Sequence, residues 1–357
     1  MILALLLALL QSGEGLRENL ERHVRFLASD EMKGRNNGTP EGLRAAAYVA
    51  DQLRDIGLKP GGREGYFHDF PTGRNVIGLL EGKNPKEFVV VAAHHEARGV
   101  VEGKIQNGAD DNASGVAMVL ELARLFAGTR PARSMLFISF DAEEDGLVGS
   151  REFVASGLYD PAAIAALFVF DLIGGNFFEW ETDRLYALGA ECSPELSARL
   201  ARAEPEGLQV VRCAAAVLEP IPGMARSDYG PFRSKGVPFI FFSTGTPWYY
   251  HTDRDDADVI NFGKMERAAR FLRKLIAETT DDAVRPTVRT PAAGPEDVAV
   301  VRTALKEAIE RAALKEGQLE RLRALEEELS AMKEPEIAVL RKAMMLLFTV
   351  ARSQGKP

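Results

Sequence analysis

Imidazoles and carboxylates are the side chains in this sequence whose types and spacing could do chemistry. The chain has only five histidines, at positions 23, 68, 94, 95 and 251. A lone histidine is more often structural than a ligand, so position has to distinguish them. His94 follows directly on the apolar run 87–93, and His251 comes a few residues after the run 237–243. Glu143 and Glu144 follow the run 134–140, and Asp171 ends the run 166–170. Asp111 lies in the segment GADDNASG, which opens a helical pattern at 113. Five metal-competent groups (His94, Asp111, Glu144, Asp171 and His251) thus fall at the carboxyl ends of predicted strands or in the loops just beyond. Open α/β sheets bind ligands there.

The donor types suit zinc. Each of two ions would take one imidazole, one carboxylate oxygen and a share of a bridging carboxylate and water, leaving room for substrate. Asp111, Glu144 and Asp171 would bring three negative charges, which cannot all stay ionised at close range without a cation. Glu143, beside a proposed ligand, is the natural general base, taking a proton from water at the metals and passing it to a leaving amine. His95 points the other way along an extended chain and is not expected to be a ligand.

The elements that must position these groups are legible from periodicity. Helical spacing marks 16–28; a second helix is predicted from an N-cap at Thr39 and Pro40 to a stop at Gly57. Strand-like runs at 75–80, 87–93, 134–140, 166–170, 184–188, 208–212 and 237–243 alternate with helical patterns at 113–127, 150–155, 194–203 and 262–278. Several runs are continuously apolar, as strands covered on both faces are. The expected fold is a three-layer α/β/α sandwich with a mostly parallel central sheet, plus a C-terminal helical appendage.

The expected organisation is a catalytic domain at 16–280, a Pro-rich linker at 281–297 and a helical extension at 298–352. In that extension Leu319, Leu322, Leu325 and Leu329 form one apolar stripe, with breaks at Gly317 and Pro335. It could pack on its own sheet domain, make a homo-oligomer contact or form a lid. No long insertion separates the first helices from the strands, so no inserted lid domain is expected. The apolar run from Ile2 to Leu10 is too short to span a bilayer and fits the core of a signal peptide over 1–13, although no basic residue precedes it. Secretion or periplasmic export is the expectation, with no membrane span. The net charge of −8 offers no basic surplus for nucleic acid. Two cysteines, Cys192 and Cys213, make no disulfide framework.

The stretch from LASDEMKGR to YYHTDRDDADVINF, with the pieces AHHE, NGADDNASGVA, FDAEEDGLVGS, FDLIGG, RSDYGPF and YHTDRDD, resembles the co-catalytic di-zinc aminopeptidases, and the resemblance covers residues 24–262. That family also includes glutaminyl cyclases, glutamate carboxypeptidases and non-catalytic transferrin receptors. The resemblance implies that His94 and Asp171 hold one zinc, that Glu144 and His251 hold the other, and that Asp111 bridges them. It implies Glu143 as base, Tyr250 steadying an oxyanion, and Arg226 contacting substrate. The implied reaction is hydrolysis of the N-terminal bond of a peptide with a free amine, through a metal-bridging hydroxide. Cyclase or carboxypeptidase-type activity on the same scaffold and a non-catalytic binding module are the alternatives; Asn112 and Tyr250 favour the aminopeptidase. The family's first motif is His-x-Asp, whereas here Glu96 stands in the Asp position. Glu96 can accept the same imidazole proton, but from a side chain one methylene longer.

Overall fold

The computed structural model describes residues 15–355 apart from 220, 222, 291–292 and 316. The expected signal segment at 1–13 lies outside the described residues. The chain opens with α1 (Leu16–Leu27) and α2 (Pro40–Ile56). The Thr39 side chain accepts the Gly42 N–H, Pro40 fills the first turn, and Gly57 ends α2 at φ 92°, a conformation glycine adopts without cost. Short strands follow: β1 (Lys59–Pro60), β2 (Phe67–Phe70), β3 (Gly73–Leu80), β4 (Asn84–His94), β5 (Gly99–Val101) and β6 (Lys104–Gln106). Helices and strands then alternate through α3 (Gly115–Phe126), β7 (Arg133–Phe140), α4 (Val148–Ala155), β8 (Ile164–Phe170), β9 (Arg184–Leu188), α5 (Pro194–Arg202) and β10 (Gln209–Cys213). Next come α6 (Ala215–Leu218), α7 (Tyr229–Ser234), β11 (Phe239–Ser243) and α8 (Phe262–Asp281), and the chain closes with α9 (Pro295–Arg311), α10 (Gln318–Ala331) and α11 (Ile337–Arg352).

Nine strands form one sheet in the order β1-β3-β7-β4-β8-β11-β9-β10, with β2 also paired to β3. The central block β7-β4-β8-β11 is parallel. Antiparallel pairing begins outside it, between β3 and β7 and between β11 and β9. The three-layer α/β sandwich is as expected, and its parallel part is the part that carries the candidate ligands.

Strand residues alternate between two cores, as the pleat requires. From β4, Val89, Val91 and Ala93 enter a core closed by α1, α2, α3, α5 and α8. Val90 and Ala92 enter the opposite core, closed by α4, α6, α7 and the last three helices. The C-terminal helices therefore complete the second helical layer. Val301, Leu305, Leu322, Leu329, Leu340 and Leu347 are all buried there. Polar ties fix the docking: Arg184 on β9 pairs twice with Glu307 on α9, at 2.9 and 3.0 Å. The Asp297 carboxylate accepts the Ala214 N–H at 2.6 Å, and Arg341 donates to the Ala216 carbonyl at 3.0 Å. Cys192 and Cys213 are free and buried in the same core. Among the described residues no helix is long and apolar enough to cross a membrane.

Leu347 is fully buried under this layer. Leu347→Ala should lower the free energy of unfolding by about 2–5 kcal/mol, read as a shift in the urea midpoint. An unchanged midpoint would show that α11 contributes nothing to the stability of the sheet domain.

Candidate active site

Each candidate ligand is delivered by the end of a strand or by the loop that follows it. His94 is the last residue of β4 and sits beside Phe140 of β7. Asp171 follows β8, its N–H bonded to the Phe242 carbonyl of β11. Glu143 and Glu144 lie in the turn after β7, Asp111 lies in the turn before α3, and His251 lies in the loop after β11. Parallel pairing of β7, β4, β8 and β11 puts these ends on one edge of the sheet.

The five side chains converge. The two oxygens of Asp111 face different imidazoles, Oδ1 at 3.4 Å from His94 Nε2 and Oδ2 at 3.1 Å from His251 Nε2. Asp171 Oδ1 is 3.6 Å from His94 Nε2, and Glu144 Oε1 is 2.9 Å from His251 Nε2. Two donor groups result, His94–Glu143–Asp171 and Asp111–Glu144–His251. Glu143 Oε2 stands 4.0 Å from His94 Nε2, at the rim of the first group. Buried His94 Nε2, His251 Nε2, Glu144 Oε1 and Asp171 Oδ1 have no hydrogen-bond partner. Buried polar atoms left unpaired are costly, and two of them in each donor group fit a divalent-metal centre.

The electrostatics follow from crowding. Burial, reinforced by Asp111, pushes the Glu144 carboxyl up to about 7. Burial also holds Glu143 well above the usual carboxylate range, with Asp171, Asp228 and Glu144 adding to the rise. Burial acts the same way on Asp111, but the facing imidazoles of His251 and His94 outweigh it and hold the group below its ordinary value. His251 is raised to about 9: burial opposes this, and Asp111 and Glu144 win. Cations at the cluster would add to the positive charge of the imidazoles and would pull the carboxylates back down.

The surrounding residues hold this arrangement. The His94 Nδ1 is directed at Glu96, 3.3 Å from its carbonyl and 3.5 Å from its carboxylate, which leaves the Nε2 lone pair facing the cluster. Glu96 has a second task. Its Oε1 accepts the backbone N–H groups of Glu143 and of Glu144, the latter at 3.0 Å, so it ties the base turn to the His94 strand. His95 turns away as expected and meets the Ser139 hydroxyl at 3.0 Å. Tyr250 stacks on the His251 ring at 3.7 Å between centroids; burial first, then the nearby carboxylates, hold its phenol protonated. Arg226 lies over the Phe348 ring at 5.1 Å and donates to the Thr246 hydroxyl at 3.4 Å.

Several positioning residues carried no signal in the sequence beyond lying inside the quoted motifs. Asp255 accepts the N–H of Asp110 at 2.7 Å and of Asp111 at 3.1 Å, clamping the Asp111 loop from behind. Asp110 accepts the N–H groups of Gly174 and Gly175, which fixes the loop after Asp171. Arg35 is fully buried and donates to the carbonyls of Leu27, His95, Asn107 and Gly108, joining α1 to the two loops that carry ligands. Asp228 is buried with neither oxygen in a well-formed hydrogen bond, and burial pushes it up to about 7. Ala142, Leu172 and His251 all have positive φ, at 56°, 56° and 57°. Each is at or beside a candidate functional residue, and such backbone conformations cluster at active sites.

Comparison with known proteins places the chain among peptidases. The Aminopeptidase YwaD of Bacillus subtilis is 26% identical over 227 residues, covering 60% of this chain and 46% of that protein. A probable lipoprotein aminopeptidase, LpqL of Mycobacterium tuberculosis, is 31% identical over 170 residues, 46% of this chain and 31% of that protein. The matched segments span less than half the length of these curated relatives. Among solved structures, an aminopeptidase from Aneurinibacillus sp. strain AM-1 superposes with a TM-score of 0.58 at 18% identity, covering 78% of this chain and 96% of that one. A glutaminyl cyclase from Porphyromonas gingivalis superposes with a TM-score of 0.59 at 19% identity, covering 73% and 98%. At such identities these structures show a shared fold. The sequence profile of Peptidase family M28 matches residues 75–276, from the start of β3 through most of α8 and across every candidate ligand, and the chain belongs to that family.

Proposed function

We propose that this protein is a zinc-dependent aminopeptidase that removes the N-terminal residue of peptides. The observation that carries this reading is the Asp111 carboxylate, whose two oxygens lie 3.4 and 3.1 Å from two different imidazoles. A carboxylate so placed suits a shared ligand between two ions, with His94 and Asp171 completing one site and Glu144 and His251 the other. Bound zinc polarises a carbonyl and acidifies water at neutral pH.

The chain's own groups do the rest. Glu143, at the rim of the cluster, accepts the proton of the attacking water and gives it to the departing amine, so one carboxylate serves as base and then acid. The Tyr250 phenol remains a donor near neutral pH and offers a hydrogen bond to the oxygen that gains charge. The carboxylates of Glu143 and Asp171 form an acidic rim that attracts a free α-amine, favouring the peptide N-terminus over internal bonds. Asp255, through the backbone of Asp111, keeps the bridging group aimed.

Reconstituted protein should hold about two zinc ions per chain, matching its two donor groups, and release amino acids from aminoacyl anilides in an EDTA-sensitive manner. About one ion per chain with cyclisation of N-terminal glutamine would favour the cyclase reading instead. Glu143→Gln should lower kcat by about 10²–10⁴-fold at unchanged zinc content. Zinc lost with that change would make Glu143 a ligand, and activity equal to the parent would remove it as the base.

Asp255→Asn replaces one of two acceptor oxygens with an NH₂ group that faces a backbone N–H. Zinc affinity, measured against a competing chelator, should fall by about 10–100-fold. Parental affinity would show that Asp111 holds its position without the clamp.

A further inference from the structure

A pocket opens beside the donor cluster on its Asp171 side, and its outer wall comes from beyond the family-matched region. Asp171 and Tyr250 line it on the site's side, together with Leu172, Phe241, and Met344 and Phe348 of α11. Met344 and Phe348 are four residues apart on a helix and share a face. The Phe348 ring meets Phe177 edge-on at 5.4 Å, and the Arg226 guanidinium covers it at 5.1 Å. One turn on, Arg352 lies over the Tyr250 ring at 5.5 Å. Past the helix, Gly355 runs so close to the Trp248 indole that a Cβ there would sit 2.8 Å from the ring. The same helix thus borders the pocket and braces the loop that carries Tyr250 and His251. It is held in place by Leu340, Leu347 and Val350, all buried in the second core.

We propose that α11 is a working part of the active site, with Met344 and Phe348 forming the wall that receives the side chain of the substrate's N-terminal residue and selecting a large apolar one. This rests on the aminopeptidase reading, and it names the substrate class. A peptide whose amine is held by the acidic rim places its first side chain beside Asp171 and Tyr250, at the mouth of this pocket. The pocket wall is mainly aliphatic and aromatic, so an apolar side chain gains most from entering it. A basic side chain meets the Arg226 guanidinium there. An acidic one could pair with Arg226 only by drawing it from the Phe348 ring and the Thr246 hydroxyl.

The full chain, reconstituted with zinc, is assayed on anilides of Ala, Leu, Phe, Lys and Glu, and calorimetry measures its binding of free L-leucine. The Leu and Phe anilides should exceed Ala in kcat/KM by about tenfold or more. Phe348→Ala should lower the Leu-to-Ala ratio by about tenfold and weaken L-leucine binding comparably, with zinc content unchanged. Phe348→Leu should restore most of both. Met344→Trp, which fills the pocket, should lower Leu and Phe turnover by more than it lowers Ala turnover. A Leu-to-Ala ratio within about twofold of the parent in both Phe348→Ala and Met344→Trp, or a parental preference for Glu, would overturn the proposal. An inactive parent that binds L-leucine through Phe348 would sink the peptidase reading and keep the pocket. An inactive parent that binds none would overturn both.

Discussion

Negative charge is packed along the carboxyl edge of this sheet more densely than a buried site tolerates without a counter-charge. Asp111, Glu143, Glu144 and Asp171 share one small space, with Glu96, Asp110, Asp228 and Asp255 behind them. Like charges at such range raise one another's proton affinity, and burial adds to the effect. The chain answers with oriented groups. Two imidazoles face the Asp111 carboxylate, and backbone N–H groups face Asp110, Glu96 and Asp255. Arg35 puts a buried cation beneath the loops; burial lowers it to about 10, while Asp255 and Glu96 pull the other way. Lys264 plays a similar part behind Asp110, with its ammonium 2.6 Å from the Asn176 amide oxygen. These groups support the outer carboxylates. The inner oxygens and both inward nitrogens stay unpaired, and that remaining imbalance is the physical case for divalent cations.

Holding such a cluster in shape needs a scaffold that does not yield. The parallel strands supply rigid ends, but loops aim the side chains. Backbone at Ala142, Leu172 and His251 occupies the left-handed region, which non-glycine residues enter at a cost of roughly 1–3 kcal/mol each. Glu96 bonding to the turn after Ala142, and Asp110 bonding to the loop after Leu172, offset that cost locally. These acidic residues do not reach the reacting atoms and act through the backbone of residues that do. Their removal would loosen the geometry while leaving the donor set chemically complete.

The division between strand ends and loops also explains what the sequence disclosed. Ligand types, their place after apolar runs, and the alternation of strands and helices are one-dimensional facts, so the cluster and the sandwich could be read directly. The cap at Thr39 and the stop at Gly57 were equally local. Asp255, Asp110 and Arg35 were not legible as clamps, because each acts on backbone 60 to 145 residues away, which only tertiary packing brings near. Glu96 shows the limit of reading a substitution by type. A longer acid in an aspartate's position still faces His94, and it also takes the N–H groups of the turn after β7. The antiparallel margins of the sheet were hidden for a related reason: strand direction depends on how the chain crosses the layers, and periodicity does not record that.

The C-terminal helices looked peripheral in the sequence because a Pro-rich stretch separates them from the sheet domain. Their apolar stripes have a specific destination, the face of the sheet left open by α4, α6 and α7. Covering that face buries Leu322, Leu340 and Leu347, which gives α11 a fixed position rather than a hinged one. A helix fixed by its core side can present the adjoining flank of its last turns to the site with little conformational freedom. That is the condition a selective pocket wall must meet, since a wall that moves cannot discriminate by size. The proposed chemistry therefore sits on the strand ends and the proposed selection on the helical layer. The two meet at Tyr250, stacked on a candidate ligand from one direction and covered by Arg352 from the other.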